Sequence, residues 1–309
     1  YSSHAECRAC GFVFTCPNCD VALTYHRFDE SLRCHYCGAN YKMPKTCPSC
    51  GREYIKYTGI GTQQVEEQLK LVFPNVRCLR MDMDTTSGKT AHRDILDAFT
   101  RREADVLIGT QMVAKGLDIP NVTLVGVVFA DSTLFHSDFR SSERTFQLLT
   151  QVAGRAGRAD KEGRVVIQTN APGHRAIRLC TKHDYKTFYN LEIGDRLRTL
   201  FPPFAVFVRA QFACADENAA ADAAERFANG VTKTILTALK PANAENELVF
   251  ALAGAAPIRR REGLFRYAVI IKLVRTANTA AAINAIYAFS DGCADECYRG
   301  IEVNPQDML

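Results

Sequence analysis

The sequence lacks any apolar run that approaches the roughly 18 residues of a membrane span, so we expect no membrane-crossing helix. It also lacks a basic-then-apolar leader, so we expect no signal peptide, and because it opens on Tyr1 we expect that start to be a fragment boundary. A charge excess is missing too, since 38 basic against 34 acidic residues give +4, too little to predict nucleic-acid binding from bulk charge. The 309 residues, 47% hydrophobic and 23% charged, are typical of a globular protein of about two or three compact units.

Cysteine, by contrast, is abundant: there are 13, and eight of them form four C-x-x-C pairs within the first fifty residues. Disulfides need an oxidising compartment, whereas such pairs without a leader are typical of zinc ligands in a reducing cytosol, so we expect a cytoplasmic protein. Zinc takes four ligands in a tetrahedron, so eight cysteines predict two closed, structural sites with no position for a substrate water. The other five cysteines lack this spacing, and we assign them no chemistry.

The four pairs can be combined in three ways, and we favour a nested arrangement because it lets one hairpin close within another. In that arrangement the first zinc is bound by Cys7, Cys10, Cys47 and Cys50, and the second by Cys16, Cys19, Cys34 and Cys37. Sequential pairing closes the first site across only five residues, and spacing does not exclude a crossed brace that joins the first pair to the third. Eight thiolates and two zinc ions bring the formal charge of the chain to about zero.

The cysteine module has two possible roles. It can support its neighbours as a zinc-stapled small fold, or its tips can contact nucleic acid. The residues that we consider for such a contact are Tyr25, His26, Arg27 and Phe28.

Residues 59–172 alternate predicted helices and strands, which indicates a doubly wound α/β domain. The predicted strands are 76–81, 105–109, 122–129 and 163–169. The predicted helices are one that Thr62 caps and Pro74 stops, and those over 92–99 and 144–153. Ligands of such sheets bind at the carboxyl ends of the strands. Polar residues gather there, at Thr110, Gln111, residues 115–118 and Asp131.

The last hundred residues are rich in alanine and predict a smaller α+β domain. Its predicted strands are 205–214, 248–253, 265–274 and 298–303, and its predicted helices are 218–239 and 277–289. The complete division is a cysteine module over 1–58, the α/β domain over 59–172, a connecting helical segment over 173–200 and the α+β domain over 201–309.

Residues 151–158, Gln-Val-Ala-Gly-Arg-Ala-Gly-Arg, place two arginines three residues apart after a helix, where both can face one polyphosphate. A surface arginine pair is the alternative. The segment resembles motif VI of superfamily 2 helicases. That resemblance implies that Gln151, Arg155 and Arg158 are catalytic groups that approach the γ-phosphate, one of the two arginines acting as a finger.

Residues 108–121 resemble helicase motif V, and residues 81–86 resemble the motif IV region. The resemblance implies DNA contacts for Thr110, Gln111 and Lys115, and nucleotide contacts for Gly116 and Asp118. The run to residue 169 is therefore similar to a second RecA-like helicase lobe. Ser-Gly-Lys-Thr at 87–90 lacks the earlier glycine of a phosphate loop, and we interpret it as a polar turn.

The cysteine block, both motifs and the Leu-Phe-Pro-Pro segment at 200–203 occur in one order that resembles the PriA family of bacterial replication-restart helicases over the entire chain. The implied fold is an α/β RecA-like lobe 2 with a double four-cysteine zinc-binding insert and a smaller α+β C-terminal domain. Leu117 and Phe129 depart from the pattern of some members, so no role is transferred to them.

The resemblance implies the C-terminal part of an ATP-dependent 3′-to-5′ DNA helicase that recognises stalled replication forks and initiates primosome assembly. ATP and Mg²⁺ then require a first lobe upstream, and the isolated chain is expected to be inactive. Implied partners are forked and single-stranded DNA, single-strand DNA-binding protein, other primosome proteins and the replicative helicase loading machinery, and the implied location is the nucleoid.

A basic and aromatic patch, expected in a loop, consists of Arg259, Arg260 and Arg261 with Arg266 and Tyr267, and it suits phosphate contact and base stacking. A solvated turn is the alternative. The sequence leaves two rival functions open. One is a non-enzymatic zinc-ribbon nucleic-acid-binding protein, and the other is a superfamily 2 translocase that acts on RNA.

Overall fold

The computed structural model describes residues 4–26, 29–58, 61–82, 85, 91–110, 113, 122–135, 138–156, 163–239 and 247–306. The chain divides into two compact units, the first formed mainly by residues 58–190 and the second by residues 4–57 together with 191–309. The cysteine module and the C-terminal domain, which are far apart in sequence, therefore share one unit. Among the described residues, none of the helices combines the length and the apolar character needed to cross a membrane.

Short strands form the sheet of the cysteine module, and the first four of them pair antiparallel. They are β1 His4–Cys7, β2 Thr24–His26, β3 Ser31–Arg33, β4 Asn40–Lys42 and β5 Ile55–Thr58. The sheet order is β4-β3-β2-β1-β5. The apolar cluster beneath it is small, with Phe14, Leu23 and Leu32 packed among cysteines. A core of this size stabilises a fold only weakly, so the module depends on cross-links such as metal sites.

Parallel strand pairs and helices form the first unit. They are α1 Thr62–Val72, β6 Cys78–Met81, α2 Ala91–Thr100, β7 Val106–Gly109, β8 Leu124–Val127, α3 Asp131–Leu134, α4 Ser141–Ala153, β9 Arg164–Ile167, α5 Arg175–Cys180 and α6 Tyr185–Thr199. Strand β6 pairs in parallel with β7, and β8 pairs in parallel with β9. The alternation and the parallel pairing agree with the predicted α/β class.

Helices α4, α5 and the start of α6 share one apolar core. The rings of Phe146 and Phe188 stack with their centroids 4.2 Å apart, and Leu149, Ile177 and Leu179 are buried beside them. The segment predicted as a connector therefore contributes core residues to the first unit. The division between the two units falls within α6, at residue 190.

In its described residues, 201–239 and 247–306, the C-terminal domain is a four-stranded antiparallel sheet with two helices. Its elements are β10 Ala205–Cys214, α7 Glu217–Ala238, β11 Leu248–Arg261, β12 Leu264–Val274, α8 Thr279–Asp291 and β13 Tyr298–Val303. The sheet order is β11-β12-β10-β13. The core contains Val208, Phe212, Phe227, Ile271 and Ile286, from both helices and two strands.

Strand β11 is longer than predicted and corrects one expectation. It runs to Arg261, so the three consecutive arginines lie at the end of a strand, not in a loop. Arg260 pairs with Phe265 and Arg261 with Leu264, and the hairpin turns through Glu262 and Gly263 alone. A two-residue turn leaves no room for the loop that the sequence suggested.

The Leu-Phe-Pro-Pro segment contacts the sheet of this domain through Lys272. The buried Lys272 ammonium donates a 2.9 Å hydrogen bond to the Thr199 carbonyl at the end of α6. It also lies 4.6 Å from the ring centroid of Phe201 and 5.6 Å from that of Phe207. Burial lowers the pKa of Lys272, and these contacts fix the last turn of α6 on strand β12.

Candidate zinc centres and phosphate-facing residues

Two sets of four cysteines converge, and they are the sets of the nested arrangement. The outer set is Cys7, Cys10, Cys47 and Cys50, the inner set is Cys16, Cys19, Cys34 and Cys37, and all sulfurs within a set lie within 4.8 Å of one another. The Sγ to Sγ distances are 3.6 Å between Cys7 and Cys50 and 3.7 Å between Cys16 and Cys37. Zn–S bonds of about 2.3 Å in a tetrahedron put sulfurs about 3.8 Å apart. The two clusters fit two zinc ions.

Each C-x-x-C pair is held by the same backbone hydrogen bond. The N–H of its first cysteine donates to the carbonyl five residues later, for example from Cys7 to Phe12 at 2.8 Å and from Cys34 to Ala39 at 2.9 Å. The residue after the second cysteine has a positive φ in all four turns. It is Gly11 at 74°, Gly38 at 73°, Gly51 at 70° and Asp20 at 37°. Glycine adopts this conformation without the strain that a side chain adds, so three turns have the favourable residue and one does not.

The thiols of one set titrate very differently. The backbone N–H of Ala39 is the largest influence that lowers the pKa of Cys37, to about 7. Burial, together with the neighbouring thiols, raises the pKa of Cys16 to about 12. Several thiolates this close repel one another, and a divalent cation among them removes that repulsion. A site with four protein ligands has no open position for a substrate, which is typical of structural zinc. Zinc bound at such a site supplies folding free energy.

The two centres differ in exposure. Three inner cysteines are buried and Cys37 is half-buried, whereas Cys10 and Cys50 of the outer centre are exposed. Water and chelators therefore reach the outer centre more easily.

Thr110, the predicted DNA contact, follows β7 directly and is exposed at the carboxyl end of that strand. Its carbonyl accepts a 3.1 Å hydrogen bond from the N–H of Val113. A Cβ at the preceding Gly109 would lie 2.1 Å from Val113 Cγ2 and 2.7 Å from the Met81 carbonyl, so only glycine fits there. The other predicted residues of this motif, Gln111, Lys115, Gly116 and Asp118, lie outside the described residues, as does the 87–90 segment.

Asp82, at the end of the neighbouring strand β6, is buried and fully engaged in structure. Its carboxylate accepts hydrogen bonds from the Thr62 hydroxyl at 2.6 Å and the Thr85 N–H at 3.0 Å, and lies 3.3 Å from the Arg80 Nε. Burial alone would raise the pKa of Asp82, but these hydrogen bonds and Arg80 lower it. In the motif IV region, Asp82 therefore ties the start of α1 to β6.

The predicted phosphate-facing residues lie at the end of α4. Gln151 is exposed in its last turn, and Arg155 is half-buried just beyond it, its N–H bonded to the Val152 carbonyl at 3.0 Å. The Gly154 N–H closes the helix on the Thr150 carbonyl. The structure thus brings Gln151 and Arg155 to one helix end, while Arg158 lies outside the described residues.

Asp138, which no sequence motif singled out, lies just before the same helix. The carboxylate of Asp138 is buried, accepts the Arg140 N–H at 2.7 Å, and lies 3.4 Å from the guanidinium groups of both Arg140 and Arg144. An acidic residue shortly before a helical run is a recognisable start signal. Helix α4 begins at Ser141, three residues before its predicted start, and the Asp138 carboxylate holds the backbone of its N-cap residue, Arg140.

Asp131, the other polar residue expected at a strand end, is buried at the first turn of α3. It accepts hydrogen bonds from the Thr169 hydroxyl and the Asn170 N–H, both at 2.9 Å. Burial opposes ionisation, and these bonds outweigh it, so the pKa of Asp131 is lowered. Asp131 joins the segments that follow β8 and β9.

The three arginines of the C-terminal hairpin all have partners in their own unit. Arg259 forms an ion pair with Glu217, and Arg260 donates to the Pro17 carbonyl at 3.2 Å. The Arg261 guanidinium lies 5.5 Å from the ring centroid of Tyr36. DNA contacts by these three arginines remain a prediction. Of the module tips, Tyr25 and His26 lie on β2, and residues 27–28 lie outside the described part of the chain.

Comparison with known proteins identifies two domains. Residues 16–42 match the PriA DNA helicase Cys-rich region domain, and residues 54–160 match the helicase conserved C-terminal domain. The solved C-terminal domain of the DEAD-box protein Dbp5 covers 46% of this chain and 78% of its own at 17% identity, but its TM-score of 0.28 is too low to support an argument.

Three similar proteins are each named replication restart protein PriA. The Bacillus subtilis (strain 168) protein is 46% identical over 93% of this chain and 34% of its own length. The Synechocystis protein is 49% identical over 67% of this chain and 26% of its own, and the Haemophilus influenzae protein 45% identical over 64% and 27%. The chain thus spans about a third or less of these relatives. With the cysteine-rich region, the helicase C-terminal domain and these identities together, the chain belongs to the PriA family of replication restart proteins.

Proposed function

We propose that this chain is the C-terminal part of an ATP-dependent 3′-to-5′ DNA helicase that recognises stalled replication forks and initiates primosome assembly. One observation carries the proposal: a helicase C-terminal domain with Gln151 and Arg155 at one helix end occurs in a chain with the PriA cysteine-rich region. The names of the relatives support the link to replication restart.

Gln151, Arg155 and Arg158 serve the nucleotide side, together with Gly116 and Asp118. Phosphoryl transfer spreads negative charge over the γ-phosphate oxygens, and a fixed guanidinium stabilises that charge. Helix α4 suits this task because the Asp138 carboxylate holds the residue just before its first turn and its middle is packed into the core. Such support at both places fixes the position of a side chain at the far end.

Thr110, Gln111 and Lys115 hold the phosphates of the DNA strand, and residues 259–261 add basic groups in the C-terminal domain. A hydroxyl and backbone amides contact phosphates without reading sequence, as a translocating enzyme requires. Binding that depends on such contacts weakens as salt rises. Further partners are single-strand DNA-binding protein, other primosome proteins and the loading machinery of the replicative helicase, in the cytoplasm at the nucleoid.

ATP and Mg²⁺ require a first lobe with a phosphate loop. The 87–90 segment does not replace it, because Met83 stands where such a loop has its first glycine. This chain alone is therefore inactive in hydrolysis, and its arginines complete a site whose other side is elsewhere.

The test is steady-state ATP hydrolysis with forked DNA, by this chain and by a version extended upstream through a first lobe. We expect turnover by the extended version only, and in it Arg155→Ala and Arg158→Ala each reduce hydrolysis by about 10³-fold or more while DNA binding persists. Arg164→Ala, at an exposed arginine on β9, is the matched control. If the extended version does not hydrolyse ATP, a non-enzymatic zinc-ribbon nucleic-acid-binding protein replaces the proposal.

A further inference from the structure

The tip of the β11–β12 hairpin is a tight two-residue turn. Glu262 has φ 54° and Gly263 has φ 84°, and Arg261 pairs with Leu264 across them. Two positive φ angles in a two-residue loop define a type I′ turn. The N–H groups of such central residues are not used by the strand pairing, so they need other acceptors or water.

Here those acceptors belong to the inner cysteine set. The Glu262 N–H lies 3.2 Å from the Cys19 sulfur, and the Gly263 N–H donates to the Asn18 carbonyl at 2.9 Å. Next to them, Arg260 donates to the Pro17 carbonyl at 3.2 Å. The hairpin tip therefore lies along the whole turn between Cys16 and Cys19, although 243 residues separate Cys19 from Glu262.

The second turn of the inner set also contacts the hairpin. Tyr36 lies between Cys34 and Cys37, and the Arg261 guanidinium lies 5.5 Å from its ring centroid. Four thiolates and one Zn²⁺ carry a net charge of about −2, so cationic side chains nearby are electrostatically favourable. Both halves of the inner centre are thus in contact with one strand end of the C-terminal domain.

A sequence difference explains why this turn accepts a distant donor. The sulfurs of Cys37 and Cys50 receive the N–H of the residue two positions later, Ala39 and Arg52. The sulfur of Cys19 receives the N–H of Glu262 instead. The Cys19 turn is the one that has Asp20, with φ 37°, where the other three have glycine with φ of 70° to 74°.

We propose that the inner zinc centre is completed by the C-terminal domain, the Glu262–Gly263 turn being part of its outer shell. Outer-shell hydrogen bonds orient metal ligands and stabilise the charge of coordinated thiolates. Zinc retention in the inner centre therefore depends on the hairpin tip, and bound zinc in turn holds the tip and its three arginines in position. This coupling requires zinc in the inner centre but not helicase activity.

The test uses a pair of variants at one position. Glu262→Pro removes the N–H that reaches Cys19 and also disfavours the φ of 54° at this position, because proline fixes φ near −65°. Glu262→Asn keeps both the N–H and the turn, since it forms the Asn-Gly pair that type I′ turns favour. Each zinc-loaded chain is exposed to a chelator, and the released cysteines are alkylated and assigned by peptide mass mapping. We expect the inner cysteines of E262P to react about 10-fold faster than those of E262N, with the outer cysteines unchanged. Equal inner rates in both variants, or equal acceleration of both centres, would overturn the proposal.

A second variant covers the case in which proline unfolds the hairpin. Arg260→Ala keeps both residues of the turn and removes the hydrogen bond to Pro17 together with the contact between the Arg260 guanidinium and the Phe265 ring. We expect an inner rate about threefold above wild type. Hydrogen exchange tests whether bound zinc in turn stabilises the hairpin tip. The amides of residues 262–263 should exchange faster once the inner zinc is removed, while those of β10 stay protected. Unchanged exchange at the hairpin tip would contradict the proposal.

Discussion

The two four-cysteine centres share one ligand type and one backbone turn but differ in what surrounds them. The outer centre leaves Cys10 and Cys50 exposed, and a local hydrogen bond, from the Arg8 N–H to the Tyr54 carbonyl at 2.8 Å, ties its two ends together. The inner centre is buried and accepts a donor from the C-terminal domain. Equivalent motifs therefore differ in how much of the molecule depends on them.

The two centres also differ in which parts of the molecule they stabilise. The outer centre closes the ends of the cysteine module, whereas the inner one links that module to the C-terminal sheet within the second unit. The loss of a ligand from the inner centre therefore lowers the stability of the C-terminal domain as well as that of the module. The loss of a ligand from the outer centre lowers mainly the stability of the cysteine module.

The largest effect is expected from removing one ligand of each centre. Cys34→Ser and Cys50→Ser should each reduce the zinc content from two ions to one. Cys34→Ser should also destabilise the second unit by on the order of 3–5 kcal/mol, because a buried centre and its contacts to the hairpin are lost together. Metal analysis and calorimetry check both values. A Cys50→Ser loss of stability that equals or exceeds that of Cys34→Ser would remove the distinction between the centres.

A smaller effect is expected from giving the Cys19 turn the glycine that the other three have. Asp20→Gly removes the strain of a side chain at a positive φ and lets the turn adopt the φ of the other three. The N–H of Val21, two residues after Cys19, can then replace the distant donor. Combined with Glu262→Pro, it should reduce the acceleration of inner alkylation by about threefold. Asp20→Ala, which lacks that backbone freedom, is the matched control. Purely additive effects of D20G and E262P would show that the two donors are not alternatives.

Cysteine spacing and helical periodicity predicted much of this architecture because both are local properties. A C-x-x-C pair brings two thiolates to one ion, whatever else the chain does. The strands and helices of the C-terminal domain were equally readable, since β10 and β13 have the predicted bounds.

The extension of β11 could not be read in the same way. Residues 254–257, Gly-Ala-Ala-Pro, have low strand propensity, and the pairing with β12 is irregular between Ala255 and Arg260. The proline is tolerated because β11 is an edge strand of the sheet. Tertiary pairing thus overrides local preference, and it is this extension that brings the arginines to the cysteine module.

Contacts across the sequence left no local signal at all. Glu262 and Cys19 are separated by 243 residues. The donor is a backbone N–H, which almost every residue type has, so the identity of residue 262 does not indicate this contact. Asp138 differs, because an acidic residue just before a helix is recognisable, but only the structure shows that it is buried between Arg140 and Arg144.

The smallest effect is expected at Tyr36, where the inner centre meets Arg261. Ser49 occupies the equivalent position of an outer turn, so a serine at this position is compatible with the C-x-x-C geometry. Tyr36→Ser removes the ring, and an exposed cation–π contact is worth about 0.5–1 kcal/mol, so inner alkylation should accelerate by about two- to fivefold. Tyr36→Phe keeps the ring and should match the wild type. If both variants accelerate alkylation equally, the hydroxyl and not the ring supports Arg261, and if neither does, the inner centre depends on the backbone contacts of the hairpin alone.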